Sequence, residues 1–261
     1  MAADAQGVPR VILLFGGTSE TAPLADMLAG AGYEVLVSIA TPIELAIGRH
    51  SRVRRRIGRL DAAGMVDLIQ TEQVRAVVDA AHPYAEQLHA IVARACQTAR
   101  VRLLRYRRPS VPVPDRKGIQ WAVDHATAAA LACRPGSRVL LTIGSRNIAP
   151  YVRAAVENQA DVFARVLPES DSLDACRMVG LSLAQVIGMR GPFSREDNLN
   201  LLHQLRIDVL VTKESGIAGG FKEKIEAALE RKCRVVIIQR PVESGAAECR
   251  SFEEIVEALQ D

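Results

Sequence analysis

Apolar runs of strand length alternate with stretches of helical periodicity along almost all of the 261 residues, and this constrains the fold more than any other feature. A strand followed by a helix before the next strand implies a crossover connection, hence a parallel sheet covered on both faces. Two such series are present. In the first, strands are predicted at 11–15 (VILLF), 34–40 (EVLVSIA), 53–57 (VRRRI), 75–79 (RAVVD) and 101–105 (VRLLR), with helices near 19–30, 62–72 and 84–99. In the second, strands fall near 119–123, 138–143, 161–167, 184–189, 208–212 and 234–239, with a closing helix at 251–260. Between them RRPSVPVPDRKG (107–118) sets three prolines within six residues, a density that neither a helix nor a central strand accepts. The expected organisation is α/β: two domains, 1–112 and 113–261, each a mainly parallel sheet flanked by helices, with a ligand cleft between them.

RVILLFGGTSETAPL (10–24) is echoed by RVLLTIGSRNIAPYV (138–152): an apolar strand, a Gly with a hydroxyl, then a helix. In the first copy Gly16, Gly17, Thr18, Ser19 and Glu20 form a short strand-to-helix turn. Glycines let backbone amides approach an oxyanion, and the start of a helix adds donors and a positive dipole end. An ordinary N-cap would use the same residues, and the G-x-G-x-x-G spacing is absent. The place of the turn, first in its sheet, favours the anion.

A site for NAD would need an acid at the end of the second strand, to bind the ribose hydroxyls. That stretch reads Val37-Ser38-Ile39-Ala40-Thr41, with Glu34 at the wrong end. Ser38, Thr41 and the downstream Arg49 can instead meet a 2′-phosphate, which predicts NADP(H) for any nicotinamide cofactor. RVRRRIGR (52–59) reads first as a solvated strand edge and second as charge neutralisation for a ligand.

Three further stretches fall at predicted strand ends. VVDAAHPYAEQ (77–87) places His82 and Tyr84 around a helix-starting proline, where either can donate a proton or orient a substrate, or simply cap the helix. RYRRP (105–109) offers Arg105 and Tyr106. TKESGIAGGFKEK (212–224) ends a strand at Lys213 and runs through Ser215, Gly216, Gly219 and Gly220 into a helix, a second anion cradle beside a cation. The remaining histidines, His50, His89, His125 and His203, show no constellation.

Composition narrows the function classes. A net charge of +3 with 4% aromatic residues gives little reason to expect nucleic-acid binding or a membrane surface. Of the 33 basic residues 28 are Arg, the side chain that grips carboxylates and phosphates in bidentate fashion, although an Arg-rich codon supply accounts for the same count. Five scattered cysteines without a CxxC pair read as small apolar residues, and no metal site is expected. No run reaches the ~18 apolar residues of a membrane span and the start, MAADAQGVPR, lacks a signal-peptide core, so the expected compartment is the cytoplasm.

GGTSE (16–20), D-x-x-HPYA (79–85), RYRRP (105–109), TKESG-x-x-GG (212–220) and QRP (239–241), in that order over nearly the whole chain, resemble the precorrin-6A reductase family of corrin biosynthesis. The resemblance implies a two-domain, Rossmann-like oxidoreductase that uses NADPH to reduce one double bond of the precorrin-6A macrocycle, an anionic tetrapyrrole derivative, to precorrin-6B. It also implies that Gly16, Gly17, Thr18 and Ser19 hold cofactor phosphate and that Ser38 and Thr41 lie near the adenosine ribose. His82, Tyr84, Arg105, Tyr106, Lys213, Ser215, Gly216, Gly219 and Gly220 would then line the site of nicotinamide or macrocycle, with Lys213, His82, Tyr84 or solvent as proton source. Three alternatives stay open: a cobalt-precorrin-6A reductase, a non-catalytic NADP-binding regulator, and a sugar-nucleotide transferase.

Overall fold

In a computed structural model the described residues are 11–40, 46–110, 112–113, 117–216, 220–240 and 246–260. Thr41, Gly219 and Pro241, singled out above, lie outside them. The chain begins with β1 (Val11–Phe15), α1 (Thr21–Gly30), β2 (Glu34–Ile39), β3 (Val53–Ile57), α2 (Ala62–Thr71), β4 (Val74–Asp79), α3 (Glu86–Ala99) and β5 (Arg102–Tyr106). It continues with β6 (Ile119–Ala122), α4 (His125–Ala132), β7 (Arg138–Thr142), α5 (Ala149–Asn158), β8 (Asp161–Val166), α6 (Ser170–Met178), β9 (Val186–Gly188), α7 (Arg195–Gln204), β10 (Val209–Lys213), α8 (Phe221–Glu230) and β11 (Arg234–Ile238). A short β12 (Ala247–Cys249) and α9 (Phe252–Gln260) complete it.

Two compact units result: residues 1–109 together with 241–261, and residues 110–240. The break at 109/110 falls in the proline-rich stretch, but the final segment returns to the first unit. The closing helix was expected in the second series, and β12 had no counterpart in the sequence reading. β12 pairs with β5 through Ala247↔Leu104 and Cys249↔Tyr106. Ile255 and Leu259 of α9 enter the same core as Leu24 and Leu28 of α1, and the Tyr33 hydroxyl donates to the Leu259 carbonyl at 3.1 Å. The apolar stripe of α9 marks a buried face, but no local signal says which sheet will bury it.

Each unit holds a six-stranded parallel sheet among its described residues. The first runs β3-β2-β1-β4-β5-β12, the doubly wound order in which successive strands step outward on both sides of β1. The second runs β9-β8-β7-β10-β11-β6, the same path started at β7 and closed by a strand that precedes it. The sequence echo therefore marks equivalent places, since β1 and β7 both lie where the strand order reverses. Its pleat differs by one residue. Leu14 faces α1, whereas its counterpart in the echo, Thr142, shares the face of Leu140, which packs against α7 and α8.

The strongly apolar central strands follow from burial on both faces: Ile12, Leu13, Leu14, Val35, Val37, Val77 and Val78 are all fully enclosed. β3 is one of the two edge strands, and of its three consecutive arginines Arg54 pairs with Glu72 at 2.8 Å on the surface. No helix among the described residues is long and apolar enough to cross a membrane.

Candidate functional site

Register places five residues level at the C-terminal rim of the first sheet. Phe15 pairs with Ser38 on one side and Asp79 on the other, Ser38 pairs with Arg56, and Asp79 with Arg105. Side chains in such a row share a face. The Gly16–Glu20 turn leaves this rim at the point where the strand order reverses, the usual ligand position of an open α/β sheet.

The turn does not present its glycine amides outward, as the sequence alone suggests. The Gly16 amide donates to the Ser38 carbonyl at 3.3 Å, and those of Gly17 and Thr18 donate to Thr21 Oγ1 at 3.0 and 3.2 Å. Glycine is needed here for two other reasons. A Cβ on Gly16 would collide with the fully buried Thr21 side chain, and Gly17 has φ of +127°. The donors that remain are the amides of Ser19 and Glu20, which meet no acceptor among the described residues, and Thr18 Oγ1, a buried hydroxyl with no hydrogen-bond partner. Together with the start of α1 they can hold an oxyanion. The Glu20 carboxylate is engaged elsewhere, 2.9 Å from the enclosed Arg108 guanidinium.

At the end of β2, Ser38 is 5% exposed and its hydroxyl accepts from Arg56 Nη1 at 3.2 Å, while the same nitrogen donates to the Gly58 carbonyl at 2.6 Å. Arg56 thus takes the place foreseen for Arg49. The Arg49 amide donates to Asp26 Oδ1 at 2.7 Å, halfway down α1, in the segment that leads into the start of β3 at the opposite end of the strand from Ser38. The basic run that holds Arg56 stands out in the sequence, but only the β2–β3 register selects Arg56 from it as the partner of Ser38.

On the other side of β1, Asp79 is 1% exposed and anchors a network. Its Oδ2 lies 2.6 Å from His89 Nδ1 and 3.1 Å from Arg105 Nη2, and its Oδ1 accepts from the Ala81 amide at 3.2 Å. His89 Nε2 lies 3.1 Å from the His82 carbonyl. His89, set aside in the sequence reading, is thereby the residue that ties the HPYA turn to the rim; its position one helical turn into α3 is what brings it back under that turn. His82 is exposed, its ring centroid 5.7 Å from that of Tyr84. Its Nδ1 accepts from the Tyr84 amide at 3.3 Å, which puts the proton of the neutral ring on Nε2.

The RYRRP stretch is more structural than expected. Arg105 reaches Asp79, Tyr106 packs on Phe252 with centroids 5.0 Å apart, Arg107 meets Glu248 at 2.7 Å and Arg108 meets Glu20. Burial, and next the Glu20 carboxylate, push the Tyr106 hydroxyl above its ordinary pKa. The Arg105 side chain thus ties β5 to the end of β4, and Tyr106 ties β5 to α9.

In the second unit β10 ends at Lys213, and the residues after it turn inward: Glu214 and Ser215 are 8% and 6% exposed, and Gly216 takes φ of +77°. Glu214 Oε1 lies 3.3 Å from Arg240 Nη2, and Arg240 Nε donates to the Glu214 carbonyl at 3.1 Å. This ion pair locks the Lys213 turn to the end of β11 and explains why the two motifs occur together. Gly220, with φ of +62°, opens α8. His125, at the start of α4, has its Nδ1 3.1 Å from the hydroxyl of the fully buried Tyr151. Burial, aided by the Lys213 charge, holds its imidazole down to about 4.

The sheet order and the close glycine turn at its reversal point define the first unit as a doubly wound, Rossmann-like α/β module. The family model described as "Precorrin-6x reductase CbiJ/CobK" matches residues 11–260. The cobalt-precorrin-6A reductase of Salmonella typhimurium is 36% identical over 231 residues, covering 88% of this chain and 87% of that protein. The precorrin-6A reductase of Rhodococcus erythropolis is 35% identical over 237 residues, covering 88% and 89%. A solved structure titled CobK precorrin-6A reductase superposes with a TM-score of 0.77 at 28% identity, over 97% of this chain and 96% of that one. The chain belongs to the precorrin-6x reductase family.

Proposed function

We propose that this chain reduces one double bond of precorrin-6A to precorrin-6B in cobalamin biosynthesis, with NADPH as reductant. The observation that carries the reading is the first crossover: an orphaned buried Thr18 hydroxyl and the Ser19 and Glu20 amides at the start of α1, with Arg56 bonded to Ser38 where an acid would select NAD. Membership of a reductase family supports the nicotinamide and the macrocycle.

When bound, the cofactor supplies a hydride. Thr18 and the amides that follow hold its pyrophosphate, with Gly16 and Gly17 permitting the close turn, and Ser38 and Arg56 hold its 2′-phosphate, a role Thr41 shares. His82 and Tyr84 at the entrance to α3 and Lys213 at the end of β10 are the groups assigned to deliver the proton that must accompany hydride. A cationic Lys213 also draws electrons from a conjugated imine-like system and so favours hydride acceptance. Gly216 and Gly220 shape the turn that presents Lys213, and Ser215 braces it from within. The reaction is placed in the cytoplasm on a small polyanionic substrate.

A second reading keeps the chemistry and changes the substrate to cobalt-precorrin-6A, favoured by the 36% identity to the Salmonella enzyme. The test is the fall in NADPH absorbance with each macrocycle supplied separately, and again with NADH. Turnover of precorrin-6A with NADPH is expected. Turnover of the cobalt form alone establishes the second reading, and oxidation of neither cofactor with either macrocycle removes both.

A further inference from the structure

The rim row of the second sheet has an unexpected composition. One pleat step below the rim, Phe163, Leu140, Leu210 and Val235 form an apolar row against α7 and α8. One step nearer the C-terminal end, register aligns Arg165, Thr142, Thr212 and Ile237 on the same face. Arg165 is 7% exposed, and Thr212 is fully enclosed with its Oγ1 lacking a hydrogen-bond partner among the described residues. Thr142 differs, since its hydroxyl donates to the Val211 carbonyl at 3.0 Å.

α8 closes over this row. Phe221, Ile225 and Ala228 belong to the core beneath it, and Lys224, on the same helical stripe, is 9% exposed. Among the described residues no ion pair or hydrogen bond engages the Lys224 ammonium, and the nearest charge acting on it from its own helix, Glu223, stays beyond ion-pair distance. Arg165 Nη1 donates to Asn198 Oδ1 at 3.0 Å, its guanidinium lies 4.0 Å from the centre of the Phe193 ring, and the Asp197 carboxylate acts on it from beyond ion-pair distance. Two enclosed cations and one orphaned hydroxyl thus belong to the elements that meet at the C-terminal ends of β8 and β10 and the N-terminal turn of α8, where Glu223 Oε2 is also buried without a hydrogen-bond partner among the described residues. Burial and the neighbouring Arg165 charge push Lys224 down to about 8, with Glu223 opposing. A buried cation without an acceptor is costly, and an oxyanion is the group that would satisfy all three donors.

We propose that Lys224, Arg165 and Thr212 form a buried carboxylate-binding subsite in the second unit, which takes one carboxylate side chain of the substrate. The carboxylate class is general chemistry of this site, whereas its attribution to the macrocycle rests on the function proposed above.

Propionate serves as the probe. Titrated into the full-length chain and followed by calorimetry and thermal shift, it is expected to bind saturably to the wild type. Lys224→Met replaces the ammonium with an apolar group of similar shape, and Thr212→Val replaces the hydroxyl with a methyl. Each is expected to weaken propionate tenfold or more while leaving NADPH affinity, read by cofactor fluorescence, within twofold. Should Lys224→Met not fold, Thr212→Val and Arg165→Met carry the same comparison. With the macrocycle as substrate, both variants are expected to raise KM tenfold with a smaller change in kcat. No saturable propionate binding, or equal binding by wild type and variants, overturns the subsite whether or not the chain reduces a macrocycle. Saturable binding that the variants lose, in a chain without reductase activity, upholds the subsite and removes only the proposed reaction.

Discussion

His89 and Asp79 meet as a buried pair 2.6 Å apart, and the far nitrogen of the same imidazole faces the His82 carbonyl at 3.1 Å. One side chain thus couples the end of β4 to the turn that carries His82 and Tyr84. Asp79 also holds Arg105, so its carboxylate is the common counter-ion of two cationic or hydrogen-bonding groups shielded from water. Asp79→Ala leaves both without it and is expected to cost about 3–5 kcal/mol in urea unfolding. His89→Gln preserves one hydrogen bond, and a smaller loss, about 1–3 kcal/mol, is expected. If His82 or Tyr84 handles the proton, His89→Gln also lowers kcat while NADPH affinity stays unchanged.

On the function proposed above, cofactor choice turns on Arg56. Its guanidinium lies beside Ser38, and a 2′-phosphate there would gain a charge-assisted hydrogen bond that NADH cannot form. Arg56→Gln is expected to weaken NADPH by about 1.5–3 kcal/mol, tenfold to over a hundredfold, with NADH little changed. Cofactor fluorescence titrations of the two variants, Arg56→Gln and Arg49→Gln, check the assignment, since Arg49→Gln should leave both affinities as they are.

The two glycines of the first turn fail for different reasons. Gly16→Ala drives a methyl into the side chain of Thr21, and about 1–3 kcal/mol of stability is expected to be lost through overpacking. Gly17→Ala meets nothing within 4 Å, so its cost comes from φ of +127° alone, about 1–3 kcal/mol. Thr21→Val keeps the shape but removes the acceptor of two amides, and is expected to cost a comparable amount. Thermal unfolding of the three variants, with and without NADPH, separates packing from cofactor binding.

His125 predicts a pH dependence of stability. Its folded pKa of about 4 lies below the ordinary 6.5, because burial first and the Lys213 charge second disfavour the imidazolium. Between those values the unfolded chain binds more protons, so stability rises with pH and is lost as pH falls from about 6.5 towards 4. The ring is only partly buried, and solvent screening limits the swing to about 1–2 kcal/mol. His125→Asn, compared with wild type by urea unfolding at the two ends of that window, is expected to flatten the slope.

Much of the architecture was legible because it is encoded by near neighbours. Apolar runs of five or six residues, small residues at strand ends and helical periodicity locate every strand of both sheets except the short β12 to within a residue or two, and the acid-free end of β2 stands in the sequence as plainly as in the fold. The motifs at 16–20, 79–85 and 212–216 all fall at the C-terminal ends of β1, β4 and β10, as their order along the chain implies.

Partnership across the chain was decided only by tertiary structure. The sequence by itself determined that α9 must bury an apolar stripe, but the first unit's core, more than two hundred residues from α1 along the chain, received it. It determined that a glycine turn follows β1, yet packing assigned two of its amides to Thr21 and left the Thr18 hydroxyl and the next two amides without a partner among the described residues. Among many arginines, strand register chose Arg56 for Ser38, and a helix folded back chose His89 for Asp79. The physical reason is one of range: backbone propensities and side-chain periodicity act over a few residues, whereas ion pairs and register arise only when distant segments are brought together.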